Sequence, residues 1–434
     1  MTPTIADRTH PTRGLLALLG CVFVAMIGFG ITLPVLPFYT ERLARAGGAS
    51  ARDVAIQVGL LTAVYPLAQL VFAPLWGRWS DSLGRKRVVL VGIAGAALGQ
   101  TLFAFATTLP ALYAARAVGG VLTAALFPAA AAYVSDATAT GGRARGMAWL
   151  GVAASMGAVV GPGLGGLLAQ TSWQLRTSAG RVIISSFAVP FLAAAVLAVL
   201  AFVAALMWVP DSRPAPVTSP IQGERTEPGA SGQAPRLGAN PRPGLALQPL
   251  LMLAVAGQFG LALFEATFAL YANRMWSYGP SEIGTAFMVC GLVMALAQVG
   301  VTTARARRVM GELMQVAAGF ALVAASLAFL PAAGVRALVL MTVAVLALGL
   351  ALIVPNLAAL ITTQGNRRRT GSALGAQGAA NSLGQVLGTL AGAALLAWRM
   401  EAPYFAAAAT LAAVGVAVGR QAANARRART TGAT

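Results

Sequence analysis

The stretch Gly77-Arg78-Trp79-Ser80-Asp81-Ser82-Leu83-Gly84-Arg85-Lys86-Arg87 decides how the chain is read. It joins two long apolar segments. It holds one acid and four bases, in a chain whose charged residues make up only 10%. Glycines at 77 and 84 permit a tight turn, because glycine tolerates positive φ. A basic cluster of this kind holds a connecting loop on the inner side of a membrane. Taken alone, the stretch is a topology signal.

The rest of the composition agrees with a membrane setting. Of 434 residues, 58% are hydrophobic, and the mean hydropathy is +0.75. A water-soluble chain of this size exposes more charge, so a membrane transport protein is the first expectation. The formal net charge of +19 raises a nucleic-acid reading. That reading fails on distribution, because the arginines sit in short clusters between apolar runs and not on one face or tail. Cys21 and Cys290 both fall inside apolar segments, so no disulfide framework is expected. His10 is the single histidine, which leaves no histidine-based catalytic triad and no His/Cys zinc site. No nucleophile–base set, metal, cofactor or ATP-binding motif is expected, and hence no enzyme. The basic N-terminus followed by apolar residues from Leu15 resembles a signal peptide only superficially. The run continues to Tyr39, long enough to span.

Twelve apolar segments long enough to cross the bilayer follow, near 14–39, 53–75, 88–107, 110–134, 146–169, 184–209, 248–272, 282–303, 312–331, 336–360, 372–398 and 403–420. Each is read as a helix, because a spanning segment in lipid must satisfy its own backbone hydrogen bonds. With both ends inside, 22 of the 31 basic residues fall on the inner side and eight on the outer; Arg116 lies within a span. This bias supports the orientation. Residues 210–247 hold eight prolines with Gly, Ser and Gln, and read as a disordered linker. The expected organisation is therefore an inner tail (1–13), a six-helix bundle (14–209), the linker, a second bundle (248–420) and a basic tail (421–434). The loop 304–311 repeats the bases and a glycine of the opening stretch, without its acid.

Four further features carry chemistry. Segment 1 ends in Pro34-Val35-Leu36-Pro37, with Gly28 upstream; prolines bend a helix or terminate it. Segment 4 carries Arg116-Ala117-Val118-Gly119-Gly120. An arginine about 9 Å from a span's end is costly in lipid unless it snorkels or faces the bundle interior. Segment 5 reads Gly157-Ala158-Val159-Val160-Gly161-Pro162-Gly163-Leu164-Gly165-Gly166. Glycines at 157, 161 and 165 share a face and allow close helix approach. Its literal Gly-x-Gly-x-x-Gly is no dinucleotide site, since no strand precedes it. Segment 7 carries Glu265, the one acid placed well inside a span. It is read either as half of a structural ion pair or as a proton or cationic-substrate site. Gln258, Asn356, Gln377, Asn381 and Gln385 either line a cavity or tie helices together. Phe29, Tyr65, Phe264, Phe268 and Tyr271 are read as packing or substrate-facing rings.

The Gly-x-x-x-Asp-x-x-Gly-Arg-Lys spacing, with the segment 4 and 5 motifs, resembles the major facilitator superfamily, and within it the twelve-helix drug:proton antiporters. Ser82 stands where that family usually has a base, Gly119 where it has Gln, and Ala25 where tetracycline exporters carry Asp. The resemblance implies an all-α fold of two six-helix bundles that rock about a midplane site. It implies a gating set of Gly77, Asp81, Gly84, Arg85, Lys86 and Asp136, and an antiporter motif of Gly157, Gly161, Pro162, Gly165 and Gly166. It implies a proton-transfer role for Arg116, and, because helices 1, 4, 7 and 10 line the cavity in that family, it lets Arg116 and Glu265 face each other across it. The implied function is proton-driven export of an amphipathic, cationic compound by a monomer in the inner membrane. Its partners are then a small-molecule substrate, protons and the bilayer, with no nucleic acid. A metabolite or lipid transporter is the alternative, and a non-transporting receptor or scaffold a more distant one. The topology is directly testable. In a Cys-less background, single cysteines at Ser219 and Ser281 are expected to label from opposite sides of the membrane, and labelling of Ser219 from outside intact cells would overturn it.

Overall fold

The computed structural model describes residues 10–137, 143–170, 173–177, 180–184, 186–210, 247–301, 310–364 and 370–431. Among these, twelve helices are long and apolar enough to cross a membrane. They are α1 (His10–Ala46), α2 (Ala51–Leu83), α3 (Arg85–Ala104), α4 in two pieces (Leu109–Thr123 and Leu126–Ala137), α5 (Arg143–Leu168), α6 (Ala188–Trp208), α7 (Leu247–Trp276), α8 (Pro280–Val301), α9 (Glu312–Phe329), α10 (Arg336–Gln364), α11 (Thr370–Trp398) and α12 (Ala402–Thr431). Residues 211–246 of the expected linker, and most of the 304–311 loop, lie outside the described residues.

Local chemistry moves several boundaries. The opening stretch is not a loop. Helix α2 runs through Asp81 to Leu83, and only Gly84 separates it from α3, at φ 92° and ψ 144°. That conformation is open to glycine and strained for other residues. Gly77 is helical and makes no turn. Pro34 and Pro37 do not end α1, which continues to Ala46. In lipid, neighbouring helices support the backbone groups that a proline frees. Helix α4 does break, at Ala124 and Ala125. Pro128 lacks the N–H that would bond the Ala124 carbonyl, and its ring crowds that carbonyl. Between α5 and α6 lies a hairpin that the apolar pattern did not announce: β1 (Trp173–Thr177) pairs antiparallel with β2 (Gly180–Ile184), Trp173 opposite Ile184. Ile184, expected to open the sixth span, belongs to β2.

The hairpin marks one face of the bundle, and the joint at Gly84 marks the other, which we call the termini face. Within the first six helices, α1 packs on α5 and α6, and α3 on α4 and α6. Within the last six, α7 packs on α11, and α9 on α10 and α12. The two halves meet mainly through α2 with α11 and α5 with α8. These meetings gather toward the hairpin face. A Cβ at Gly59 of α2 would overlap Ala393 of α11, and one at Gly166 of α5 would overlap the Pro280 carbonyl of α8. Arg274 donates to the Ala51 carbonyl at 3.1 Å. Leu270 and Leu396 of the second half join a buried cluster with Ile31, Leu61 and Phe191 of the first. At the termini face, by contrast, the cluster around Leu18, Val89, Ala129 and Ala198 holds first-half residues only. A Cβ at Gly77, Gly151, Gly375 or Gly378 would meet nothing within 4 Å. Among the described residues, the structure is thus sealed at the hairpin face, and its halves part toward the termini face.

The seal rests on glycine. At Gly284 of α8, a Cβ would lie 2.5 Å from the Pro162 carbonyl oxygen. Gly284→Val is therefore expected to wedge the hairpin face apart. Spin labels at Gln170 and Met275 should report a longer mean distance in that variant, while Gly151→Val, in open space, should leave the distance unchanged.

Candidate functional site

Arg116 sits on α4, only 7% exposed. Its guanidinium carbon lies 5.2 Å from the centre of the Tyr65 ring and 6.0 Å from that of Phe103. Rings presented this way attract a cation through their negative faces. The Nε atom is buried and has no hydrogen-bond partner among the described residues. Around it, α1 to α4 line a cavity of about 30 Å³, with Phe29, Thr32, Tyr65, Gln100 and Thr123 among its walls. Polar side chains fix this pocket. Gln100 donates to the Gly28 carbonyl at 2.8 Å, and Thr32 to the same oxygen at 3.0 Å. Tyr65 and Thr123 share a 2.8 Å hydroxyl–hydroxyl bond, while Thr123 also donates to the Gly119 carbonyl at 2.6 Å. Gly28 is small for a reason: a Cβ there would stand 2.7 Å from the Gln100 amide nitrogen.

Glu265 projects from α7 as a partly exposed carboxylate, beside the buried Phe264 and Ala266. Cys290 of α8 lies near it. No salt bridge joins it to Arg116; among the described residues, ion pairs link Arg45 with Glu41 and Arg399 with Glu401. The expected facing pair is thus not made in this conformation. Aromatic faces take the place of a carboxylate at Arg116, inside the first four helices.

The antiporter motif has two working faces. Gly157, Gly161 and Gly165 lie against α1, where Cβ atoms would stand 2.6 Å from the Ile27 and Ile31 carbonyl oxygens at the last two. Gly163 and Gly166 lie against α8, at Met288 and Gly284. Pro162 fills the notch left by Gly30 of α1, its Cδ 2.7 Å from where a Cβ would be. At the termini face, Arg85 donates to the buried Ser80 hydroxyl at 3.2 Å across the Gly84 joint, and Lys86 follows on α3. The side chains of Asp81 and Asp136, and all of Arg367 to Arg369, lie outside the described residues.

The remaining candidates separate. Phe29 and Tyr65 stand 5.9 Å apart at the Arg116 pocket. Phe264 and Phe268 are fully buried and pack with Phe287 of α8, and Tyr271 packs with Tyr404 of α12. These three are core rings. Asn356 is buried and donates to Gln315 of α9 at 2.9 Å, so it ties two helices. Gln258 packs beside Gly384 at the α7–α11 seam. Gln377 is buried on α11, and Asn381 and Gln385 are partly exposed. The sequence reading missed Gln100, Thr32 and Thr123. A glutamine in the middle of an apolar span was the available signal for the first.

Comparison with known proteins supplies the family. The model of the Major Facilitator Superfamily matches residues 18–389. Multidrug resistance protein 1 of Bacillus subtilis is 30% identical over 409 residues, covering 93% of this chain and 95% of that one. Quinolone resistance protein NorA of Staphylococcus aureus is 25% identical over 278 residues, 64% of this chain and 63% of its own. Among solved structures, the human organic anion transporter MFSD10 superposes with a TM-score of 0.65 at 21% identity, covering 94% of this chain and 99% of that one. A bacterial homolog of the human lysosomal transporter Spinster gives 0.68 at 15% identity, covering 96% of each. With twelve spanning helices, a glycine-packed seam between its halves and a family match across most of its length, the chain is a multi-pass membrane transporter of the Major Facilitator Superfamily.

Proposed function

We propose that the protein exports amphipathic, cationic small molecules in exchange for protons, by alternating access of two six-helix halves, residues 14–209 and 248–420, joined by 210–247. The termini face is cytoplasmic in this reading, and the arginine bias supports it. The state described is then the one that receives substrate from the cell interior. The protein works as a monomer in the cell's inner membrane.

The observation that carries the reading is Glu265: a partly exposed carboxylate, deep within a span, with no ion-pair partner among the described residues. A proton neutralises such a carboxylate, and a substrate cation pairs with it only when the proton is absent. Proton and substrate then compete for one group, which is the simplest antiport. The relatives named for multidrug and quinolone resistance favour drugs over metabolites or lipids. We expect Glu265→Gln to abolish proton-driven export of a cationic substrate while downhill exchange stays measurable, and Arg116→Ala to impair both. Substrate-induced proton release from purified protein in weak buffer decides the matter. Release that survives in Glu265→Gln removes this residue from coupling.

The joint at Gly84 supplies the gate in this reading. Asp81, on the last turn of α2, would meet the start of α11 when the termini face closes, since helix N-termini favour anions. The bases Arg85 and Lys86 would meet Asp136. Asp81→Asn is expected to lose transport while the protein still inserts and binds substrate. Unchanged flux at wild-type expression would reduce the motif to a topology signal.

A further inference from the structure

Among the described residues, Arg116 is a fixed cation with no carboxylate in ion-pair range. Buried charge in lipid-spanning helices is costly unless it is paired. The helices around it hold four acids: Glu41, Asp53, Asp81 and Asp136. At ~1.5 Å per residue, Glu41 stands about 14 Å along α1 from Thr32, and Asp53 about 18 Å along α2 from Tyr65. Asp81 stands about 24 Å from Tyr65, and Asp136 about 30 Å from Arg116, on the same scale. Glu41 is held by Arg45, and Asp53 caps its own helix at Ser50. Glu265 makes no ion pair with Arg116. The pocket's hydroxyl groups are already engaged: Thr32 donates to the Gly28 carbonyl, Thr123 to the Gly119 carbonyl, and the Tyr65 hydroxyl bonds that of Thr123. What remains is an excess of donors. The Arg116 Nε–H has no acceptor among the described residues. One amide hydrogen of Gln100 is left after its bond to Gly28. Both residues line a cavity of about 30 Å³, more than the roughly 10–15 Å³ that a single water needs.

We propose that this cavity binds one small monovalent anion, either free chloride or a carboxylate carried on the transported molecule. Water satisfies the donors and leaves the charge to the Tyr65 and Phe103 rings. An anion satisfies the donors and adds an opposite charge, through charge-assisted bonds. A volume of about 30 Å³ beside the rings of Tyr65 and Phe103 suits a halide or a single carboxylate group. The site lies within the first four helices and does not depend on proton coupling at Glu265.

The test uses the purified full-length protein in a buffer free of chloride and carboxylates, with sulfate as the counter-anion. Sodium chloride is titrated against it by chlorine-35 line broadening, and sodium acetate by calorimetry. Wild-type protein should bind at least one of the two saturably. Arg116→Gln should weaken that binding about tenfold or more, as expected for a lost bond to a charged group. Arg116→Lys keeps the charge and should retain weaker binding, and Gln100→Leu should weaken it with the arginine in place. Chloride binding with this pattern identifies the free ion as the source. Acetate binding without chloride binding identifies a substrate carboxylate. The proposal falls if neither anion binds saturably, or if Arg116→Lys and Gln100→Leu both bind as wild type does.

Discussion

The close approach of α5 to its two neighbours is the constraint on which the rest of the structure depends. Lipid supplies no hydrophobic drive between helices, so association rests on van der Waals contact and hydrogen bonds. Helix α5 meets α1 backbone to backbone at Gly157, Gly161 and Gly165. One face away, it meets α8 at Gly163 and Gly166, with Gly284 opposite. The first contact is internal to a half, and the second is the seam between halves. One helix therefore carries both the packing that holds one half together and the contact between the halves. A side chain added on the first face would disturb the half, and one on the second would disturb the seam.

Charge is distributed to suit such a machine. The bases lie mostly outside the spans, and the two interior charges are held apart. Arg116 is enclosed by rings and amides in a pocket shared by four helices of one half. Glu265 stands partly exposed on the other half, near Cys290. A tight Arg–Glu pair across the seam would join the halves and oppose their separation. Cation–π contact stabilises the arginine without tying it to the partner bundle.

Much of the fold was legible because lipid leaves the chain few options. Twelve apolar runs could only be helices, and the motif glycines at 157, 161 and 165 do face a neighbouring helix. What escaped was set by tertiary support or by single residues. Pro34 and Pro37 read as a terminus, yet α1 continues past them. Pro128 was passed over, yet α4 breaks just before it. The eleven-residue charged stretch looked like a loop because its charges suggested water, while its backbone is helical except at Gly84. At the site, identity was readable and direction was not. Sequence put Arg116 and Glu265 at similar depths, but only the packing shows that Arg116 turns toward Tyr65 and Gln100. Asn356 was equally ambiguous until its bond to Gln315 placed it between two helices.

The single-residue joint at Gly84 has a mechanical consequence. With no slack between them, α2 and α3 form one bent lever, braced across its elbow by Arg85 on Ser80. A shift of α2 along its seam with α11 is carried through the elbow to α3. There Gln100 grips the α1 backbone at Gly28. Displacement at the seam between the halves therefore reaches the wall of the buried arginine's pocket.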